Sequence, residues 1–323
     1  MIGLSGLVLA LVMASLVIGY APIGPVESLS ALFSDDYGPL TLVMREIRLP
    51  RALLALTIGA GLGLAGAAMQ GYLRNPLAEP GLIGVSASAA LGAVIAINTG
   101  LAALAPLGLP VAALAGAAVG VGLVMLLAAP SGDTLTLILA GIAISAMASA
   151  LTALVLNLSP NPFAANEIVF WMMGSLADRS MVHVWLFLPF GLIGALLLLA
   201  MGRGLDALTL GEDAATTMGI SLSRQRLLLV FGTASLVGSA TAVAGAIGFV
   251  GLVVPHILRP LVGAQPSRLL PASALGGAAM LLMADIAVRL ILPARDLKLG
   301  VVTALVGAPL FLHLIYRTRK GLA

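Results

Sequence analysis

The segment RLPRALLALTIGAGLGLAGAAMQGYLRNPLAEPGLIGVSASAALGA, residues 48–93, decides the fold class. Two apolar runs, 50–72 and 81–99, flank a short polar turn containing Pro76 and Pro80. Each run approaches the ~20 residues a helix needs to cross a hydrocarbon core. Both are rich in Ala and Gly, which let helix backbones approach closely where lipid removes the hydrophobic drive between helices. Neither shows the in/out alternation of a membrane β-barrel strand. Two transmembrane helices joined by a rigid turn are expected.

The rest of the chain repeats this pattern. Of 323 residues, 60% are hydrophobic and 9% charged, and the mean hydropathy is +1.14. Soluble domains carry about 25% charged residues, so lipid must solvate part of this apolar surface. Ten spans are expected, at 2–20, 50–72, 81–99, 107–129, 135–157, 184–201, 226–246, 248–262, 270–292 and 299–316. The fold class is all-α and polytopic, one membrane domain over 1–323. Residues Ile2 to Tyr20 also have the length of a signal peptide. No basic residue precedes them and no A-x-A site follows, which favours a first span. Without cysteine there is no disulfide scaffold, thiolate metal site or cysteine nucleophile. The net charge of +3, with no basic run interleaved by aromatics, gives no signal for nucleic acid.

A cytoplasmic N-terminus places Arg74, Arg203, Arg224, Arg226, Arg268, Arg317, Arg319 and Lys320 inside, so both termini are cytoplasmic. Arg45, Arg48, Arg51, Arg179, Arg295 and Lys298 fall outside. The positive-inside rule supports this orientation, with Arg45, Arg48 and Arg51 running against it. The spans divide into inverted halves of five, 1–182 and 183–323, a common transporter plan. Between the fifth and sixth spans, 158–182 holds Glu167 to Ala177, expected as a short interfacial helix. Residues 202–225 form the longest inside loop.

Several polar motifs admit both a structural and a functional reading. In the inside loop, Thr209 and Glu212 have capping-box spacing, and Gly219 suits a helix stop. The short polar helix is either an ordinary loop helix or a coupling helix for an ATPase. Pro50 places the start of the second span near itself, with Arg48 and Arg51 projecting at the outer surface. They serve as lipid anchors or as a socket for an acidic partner. The turn Arg74 to Gly81 is a rigid connector or part of a cytoplasmic gate. His256 near a helix end is expected to hydrogen-bond structurally, although a His at membrane depth also invites a functional role. Asp285 and Arg289, four apart, suit a helical ion pair. No H-E-x-x-H, G-x-S-x-G or Walker A motif is present. If ATP drives the protein, ATP and Mg bind on another chain, and no cofactor is expected here.

The segment 48–93, together with GFVGLVVPHILRPLVG (248–263), MLLMADIAVRL (280–290), LGVVTALVGAPLFLHLI (299–315), FWMMGSLA (170–177) and the 210–219 loop, resembles the FecCD-type permeases. The resemblance covers nearly the whole chain. It implies a type II ATP-binding-cassette importer of the bacterial cytoplasmic membrane, moving iron–siderophore complexes, haem or cobalamin. Its implied partners are a second copy of the chain, two ATPase subunits, an external binding protein and membrane lipid. It further implies that Arg48, Arg51 and Arg289 meet acidic residues of the binding protein. Leu210, Gly211, Glu212, Ala214, Ala215 and Gly219 match the coupling region. Asn75 and Leu77 match one cytoplasmic gate and Thr134 another, with Asp133 and Leu135 departing from the pattern. Of the cargoes, siderophore-bound iron is the family's commonest. An ion-coupled secondary transporter would instead require acidic or broken-helix ion sites at mid-membrane, and none stands out. An intramembrane enzyme would require a nucleophile or metal set, which the motifs do not supply.

Overall fold

The protein is represented by a computed structural model that describes residues 1–19, 23–34, 38–105, 107–128, 134–160, 162–291 and 297–320. Among the described residues there are fourteen helices and no strand. In chain order they are α1 (Ile2–Val17), α2 (Pro25–Phe33), α3 (Pro39–Tyr72), α4 (Val85–Asn98), α5 (Gly108–Ala128), α6 (Thr134–Asn157) and α7 (Pro162–Met172). There follow α8 (Met181–Leu199), α9 (Gly202–Leu208), α10 (Glu212–Thr217), α11 (Leu222–Ala244), α12 (Val250–Leu258), α13 (Pro266–Ile291) and α14 (Leu299–Lys320).

Each of the ten expected apolar segments carries a helix. Six of these helices, α3, α5, α6, α8, α11 and α13, are long and apolar enough to cross a bilayer. The others, α1, α4, α12 with its 3-10 continuation to Val262, and α14, are shorter apolar helices. At ~1.5 Å per residue, the 14 residues of α4 span about 21 Å. That is short of a ~30 Å hydrocarbon core, and the 3-10 turn Pro80–Ile83 leads into it.

The core is built where α3 lies against α13, the most extensive helix pair among the described residues. Gly59 and Gly63 of α3 face Ser273 and Gly277 of α13, and a Cβ at any of the three glycines would collide with backbone across the crossing. This is close small-residue packing, with dispersion between backbones replacing the hydrophobic drive that lipid removes. The pair joins the first half of the chain to the second. The helices α5, α6 and α8 bury little of their length and turn Leu123, Leu126, Leu139, Ile142, Leu192 and Leu196 outward. In lipid such exposure carries no penalty.

Three local expectations change. The helix containing Pro50 does not begin there: it runs on upstream to Pro39 through a π turn at Val43–Arg48. Proline lacks an N–H and its ring clashes with the preceding turn. The wider turn accommodates this, with the Leu49 N–H donating five residues back to the Met44 carbonyl. The interfacial helix spans Pro162–Met172 rather than 167–177, because Gly174 turns into the left-handed region at φ 72°. α2 was not foreseen at all. The break expected between the spans 226–246 and 248–262 is present. It extends over 245–249, and the backbone N–H of Phe249, itself left-handed at φ 67°, donates to Glu79 Oε1 at 3.1 Å.

Candidate functional site

The arginines expected to project at the outer surface turn inward. Arg48, Arg51 and Arg289 are 4%, 8% and 5% exposed, so they do not project as free cations from the surface. The reason lies in the helix ends around them. The last carbonyls of a helix lack intrahelical donors and carry partial negative charge. Arg48 Nη1 donates to the carbonyls of Leu16 and Val17 at 3.1 and 2.7 Å. Arg289 Nη1 donates to those of Ser15 and Ile18 at 2.8 and 2.6 Å. Two guanidiniums thus cap the C-terminus of α1. Arg45 does the same for α2, reaching the carbonyls of Leu32 and Ser34. Of the three arginines expected to run against the positive-inside trend, Arg45 and Arg48 are therefore helix caps.

At its centre sits Asp285, fully buried. Its Oδ1 accepts from Arg51 Nε at 2.8 Å and its Oδ2 from Arg289 Nη2 at 2.7 Å. The expected i,i+4 pair is present, and Arg51 of α3 extends it across the core crossing. Arg289 Nη2 also donates to Ser15 Oγ at 2.6 Å. Asp285 therefore ties α3, α13 and α1 together. Ser15 gives no sequence signal, since a lone Ser in an apolar run reads as filler. Arg295 lies outside the described residues.

Deeper in, Pro255 interrupts α12 and leaves the Gly251 carbonyl four residues earlier without its usual donor. Gln70 of α3 supplies one: its Nε2 lies 3.5 Å from the Gly251 oxygen and 3.1 Å from that of Leu252. Arg259 Nη2 completes the chain by donating to Gln70 Oε1 at 2.8 Å. Gln70 stands in the apolar run 50–72, and its polarity inside a span was the available signal. The hydrogen-bonding role expected of His256 is not realised at Nδ1, which is buried and has no partner among the described residues.

At the opposite end, the loop 202–225 folds into α9 and α10. The capping box does not form. Thr209 Oγ1 donates to the Asp206 carbonyl at 2.6 Å, and the N-cap of α10 is Gly211 at φ 104°. Glu212 and Asp213 occupy the first turn, where the helix dipole favours them. The stop at Gly219 is as expected. Gly219 is left-handed at φ 83°, its N–H donates to Thr216, and the Ile220 N–H donates to Ala215. This is a Schellman closure. Ala215 is buried and seats the helix, while Leu210 and Met218 are 69% and 62% exposed.

Asp206 anchors this region. Its Oδ1 accepts from the Ser267 backbone N–H and its Oδ2 from Gln265 Nε2, both at 2.9 Å. The carboxylate therefore caps the N-terminus of α13 from another element. Burial alone would raise its pKa, but the hydrogen bonds from Ser267 and Gln265 and the charge of Arg268 outweigh it. They hold the group below the usual carboxylate range. An exposed pair, Arg74 Nη2 to Glu212 Oε1 at 3.5 Å, links α10 to the 74–81 turn. In that turn Asn75 Oδ1 accepts from the Leu77 N–H at 2.9 Å, so Asn75 builds the turn and Leu77 is half-buried within it. Thr134 is half-buried at the first residue of α6, and Leu135 beside it is exposed. Asp133 lies outside the described residues.

Residues 7–317 match the FecCD transport family. The uncharacterized ABC transporter permease YvrB of Bacillus subtilis is 40% identical over 294 residues, covering 89% of this chain and 82% of that protein. The vitamin B12 import system permease BtuC of Salmonella typhi is 40% identical over 322 residues, covering 99% and 95%. A solved inward-facing conformation of an ABC transporter assigned to the metal-chelate type superposes with a TM-score of 0.86 at 36% identity, over 98% of each chain. PsaBC of Streptococcus pneumoniae shares the fold, with a TM-score of 0.55 at 16% identity. With a family match over nearly the whole length and relatives at 40% identity, the chain belongs to the FecCD transport family and is a permease subunit of a type II ABC importer.

Proposed function

We propose that two copies of this chain, with two ATPase subunits, pass a large metal chelate from an external binding protein into the cytoplasm. Both termini are cytoplasmic and the chain crosses the membrane ten times, in inverted halves 1–182 and 183–323. One observation carries the reading. α13 holds the Asp206 cap at Ser267 and the Arg51–Asp285–Arg289 group near its other end. Eighteen residues of helix separate Ser267 from Asp285, about 27 Å at ~1.5 Å per residue. A single helix thus joins the coupling region to the outer rim.

In this mechanism ATP closes the ATPase subunits, and α10, seated by Ala215 and presenting Leu210 and Met218, follows them. Asp206 transfers that displacement to α13. Outside, an acidic group of the binding protein docks where Arg48, Arg51 and Arg289 gather. A carboxylate is a stronger acceptor for a guanidinium than the neutral carbonyls that Arg48 and Arg289 Nη1 now hold, so docking there exchanges helix-capping bonds for charged ones. Asn75, Leu77 and Thr134 form the cytoplasmic gate, and hydrolysis of ATP with Mg takes place on the separate subunits.

For the cargo, similarity to vitamin B12 permeases over almost the full length favours cobalamin, with iron–siderophore complexes and haem as the alternatives. Proteoliposomes containing the complete complex and its binding protein should accumulate labelled cobalamin on addition of ATP. Uptake of a ferric siderophore or haem in its place would reassign the cargo. ATP-independent uptake driven by an ion gradient would overturn the importer mechanism.

A further inference from the structure

A cavity of about 260 Å³ opens between the 97–110 connection, α7, the start of α8 and the end of α11. On the proposed topology it lies on the outer side. Its wall includes Trp171, Arg179, His183 and Glu167, with Leu109 and Pro110 as an apolar side. Trp171 is 8% exposed, and its indole Nε1 is buried without a partner among the described residues. Arg179 Nε is in the same condition. Buried donors are seldom left unmet, and each such group in a folded protein calls for an explanation. His183 Nδ1 accepts from the Ser180 backbone N–H at 3.2 Å, so the proton of the neutral ring resides on Nε2, which is a third donor. None of these groups takes part in coupling, gating or the outer arginine network.

We propose that this cavity is a binding site for a small organic monoanion, a carboxylate with a short apolar tail. Three N–H donors, one of them a guanidinium, suit a carboxylate oxygen pair. Water would also meet the donors, but an anion additionally compensates the Arg179 charge in a partly buried setting. Asp178, exposed and adjacent in sequence, faces solvent and offsets that charge only in part. Glu167 is exposed at the wall, and its charge disfavours a dianion about twice as strongly as a monoanion. Leu109 and Pro110 accommodate the tail. Pockets for drug-sized ligands occupy about 300–1,000 Å³, so the site takes a small acid and not the transported chelate.

The protein contains two tryptophans, and Trp185 is 64% exposed. Trp185→Phe therefore leaves Trp171 as the sole indole reporter. In the full chain in detergent micelles, sodium butyrate should change Trp171 emission saturably and protect it from acrylamide. Sodium chloride at equal ionic strength should do neither. Losing one charge-assisted partner in Arg179→Gln should raise the half-saturating butyrate concentration about tenfold or more. Sulfate should bind more weakly than butyrate. A response identical to that of chloride, or no acrylamide protection with Arg179 intact, would overturn the site. Sulfate binding as tightly as butyrate would overturn the assigned ligand class.

Discussion

Replacing Asp285 by Ala removes the single carboxylate shared by Arg51 and Arg289. Asp285 is fully buried and both bonds are short, 2.8 and 2.7 Å. The substitution leaves two guanidiniums inside the protein without their counter-ion. Breaking a buried pair by removing one partner costs about 3–5 kcal/mol. Arg289 keeps Ser15 Oγ and the carbonyls of Ser15 and Ile18, while Arg51 has no other hydrogen-bond partner among the described residues. The loss therefore concentrates on Arg51, and removing that charge too, in Asp285→Ala with Arg51→Met, should recover about 1–2 kcal/mol by the coupling expected of contacting residues. Thermal unfolding of the detergent-solubilised variants at one scan rate gives the ranking, since irreversible transitions depend on that rate. An Asp285→Ala variant within about 0.5 kcal/mol of the parent, the range of an ordinary surface change, would refute the reasoning. The same variant separates two roles for the arginines. If an acid of the binding protein docks on them, removing the internal acid frees guanidinium bonds and association should hold or strengthen while stability falls. If they are only helix caps, both should fall together.

Other expected outcomes are more local. Gly219→Ala should cost about 1–2 kcal/mol through its left-handed backbone alone, because a Cβ there meets nothing within 4 Å. The readout is more ATP hydrolysed per cargo moved, and normal stoichiometry would remove α10 from the coupling path. Asp206→Ala should cost about 0.5–2 kcal/mol as a lost cap, read as faster proteolysis within 202–225. Because the folded pKa of Asp206 is depressed, its stabilisation is complete above the unfolded value near ~3.9. It is lost as pH falls through the lower folded value. Protease resistance of the loop should therefore persist at pH 5, and its loss there would contradict the cap. A cysteine at Lys320, in a chain with no native cysteine, should react with an impermeant reagent only from the cytoplasmic side, and labelling from outside would invert the topology.

Long apolar runs were legible in the sequence because a bilayer demands them regardless of tertiary context. Ten were expected and each carries a helix, and the stop at Gly219 was readable because few other residues tolerate its backbone. The direction of the arginines was not legible. Sequence spacing puts Arg48 and Arg51 near the outer end of a span, but whether they point out to water or in to carbonyls depends on where α1 ends. That meeting joins residues 15–18 with residues 48 and 289, and no local pattern announces it. The capping box at Thr209 failed for a related reason. Its spacing was right, but Thr209 still belongs to the end of α9, where its hydroxyl finds the Asp206 carbonyl first. α2 is too short and too ordinary in composition to stand out beside longer apolar runs.

The placement of the few buried polar groups bears on how such an apolar chain can transmit force. Contacts among Ala, Gly and Leu are individually weak and non-directional, so a helix held only by them can slide along its neighbour. Directional bonds occur on α13 near both ends, through Asp206 to Ser267 and through Asp285 to Arg51. Between them lies the close crossing at Gly59, Gly63 and Gly277, where backbones touch. A displacement at the Asp206 end is poorly absorbed by side-chain rearrangement at that crossing, because the glycines there set backbone against backbone. It must pass to α3, and through Gln70 to the broken helix α12 at Gly251 and Leu252. In α12, Pro255 has already removed one internal bond, so the helix is a soft point on this route. The motion that opens or closes the permease is therefore expected at α12 and the 245–249 break, with α3 and α13 moving as one body.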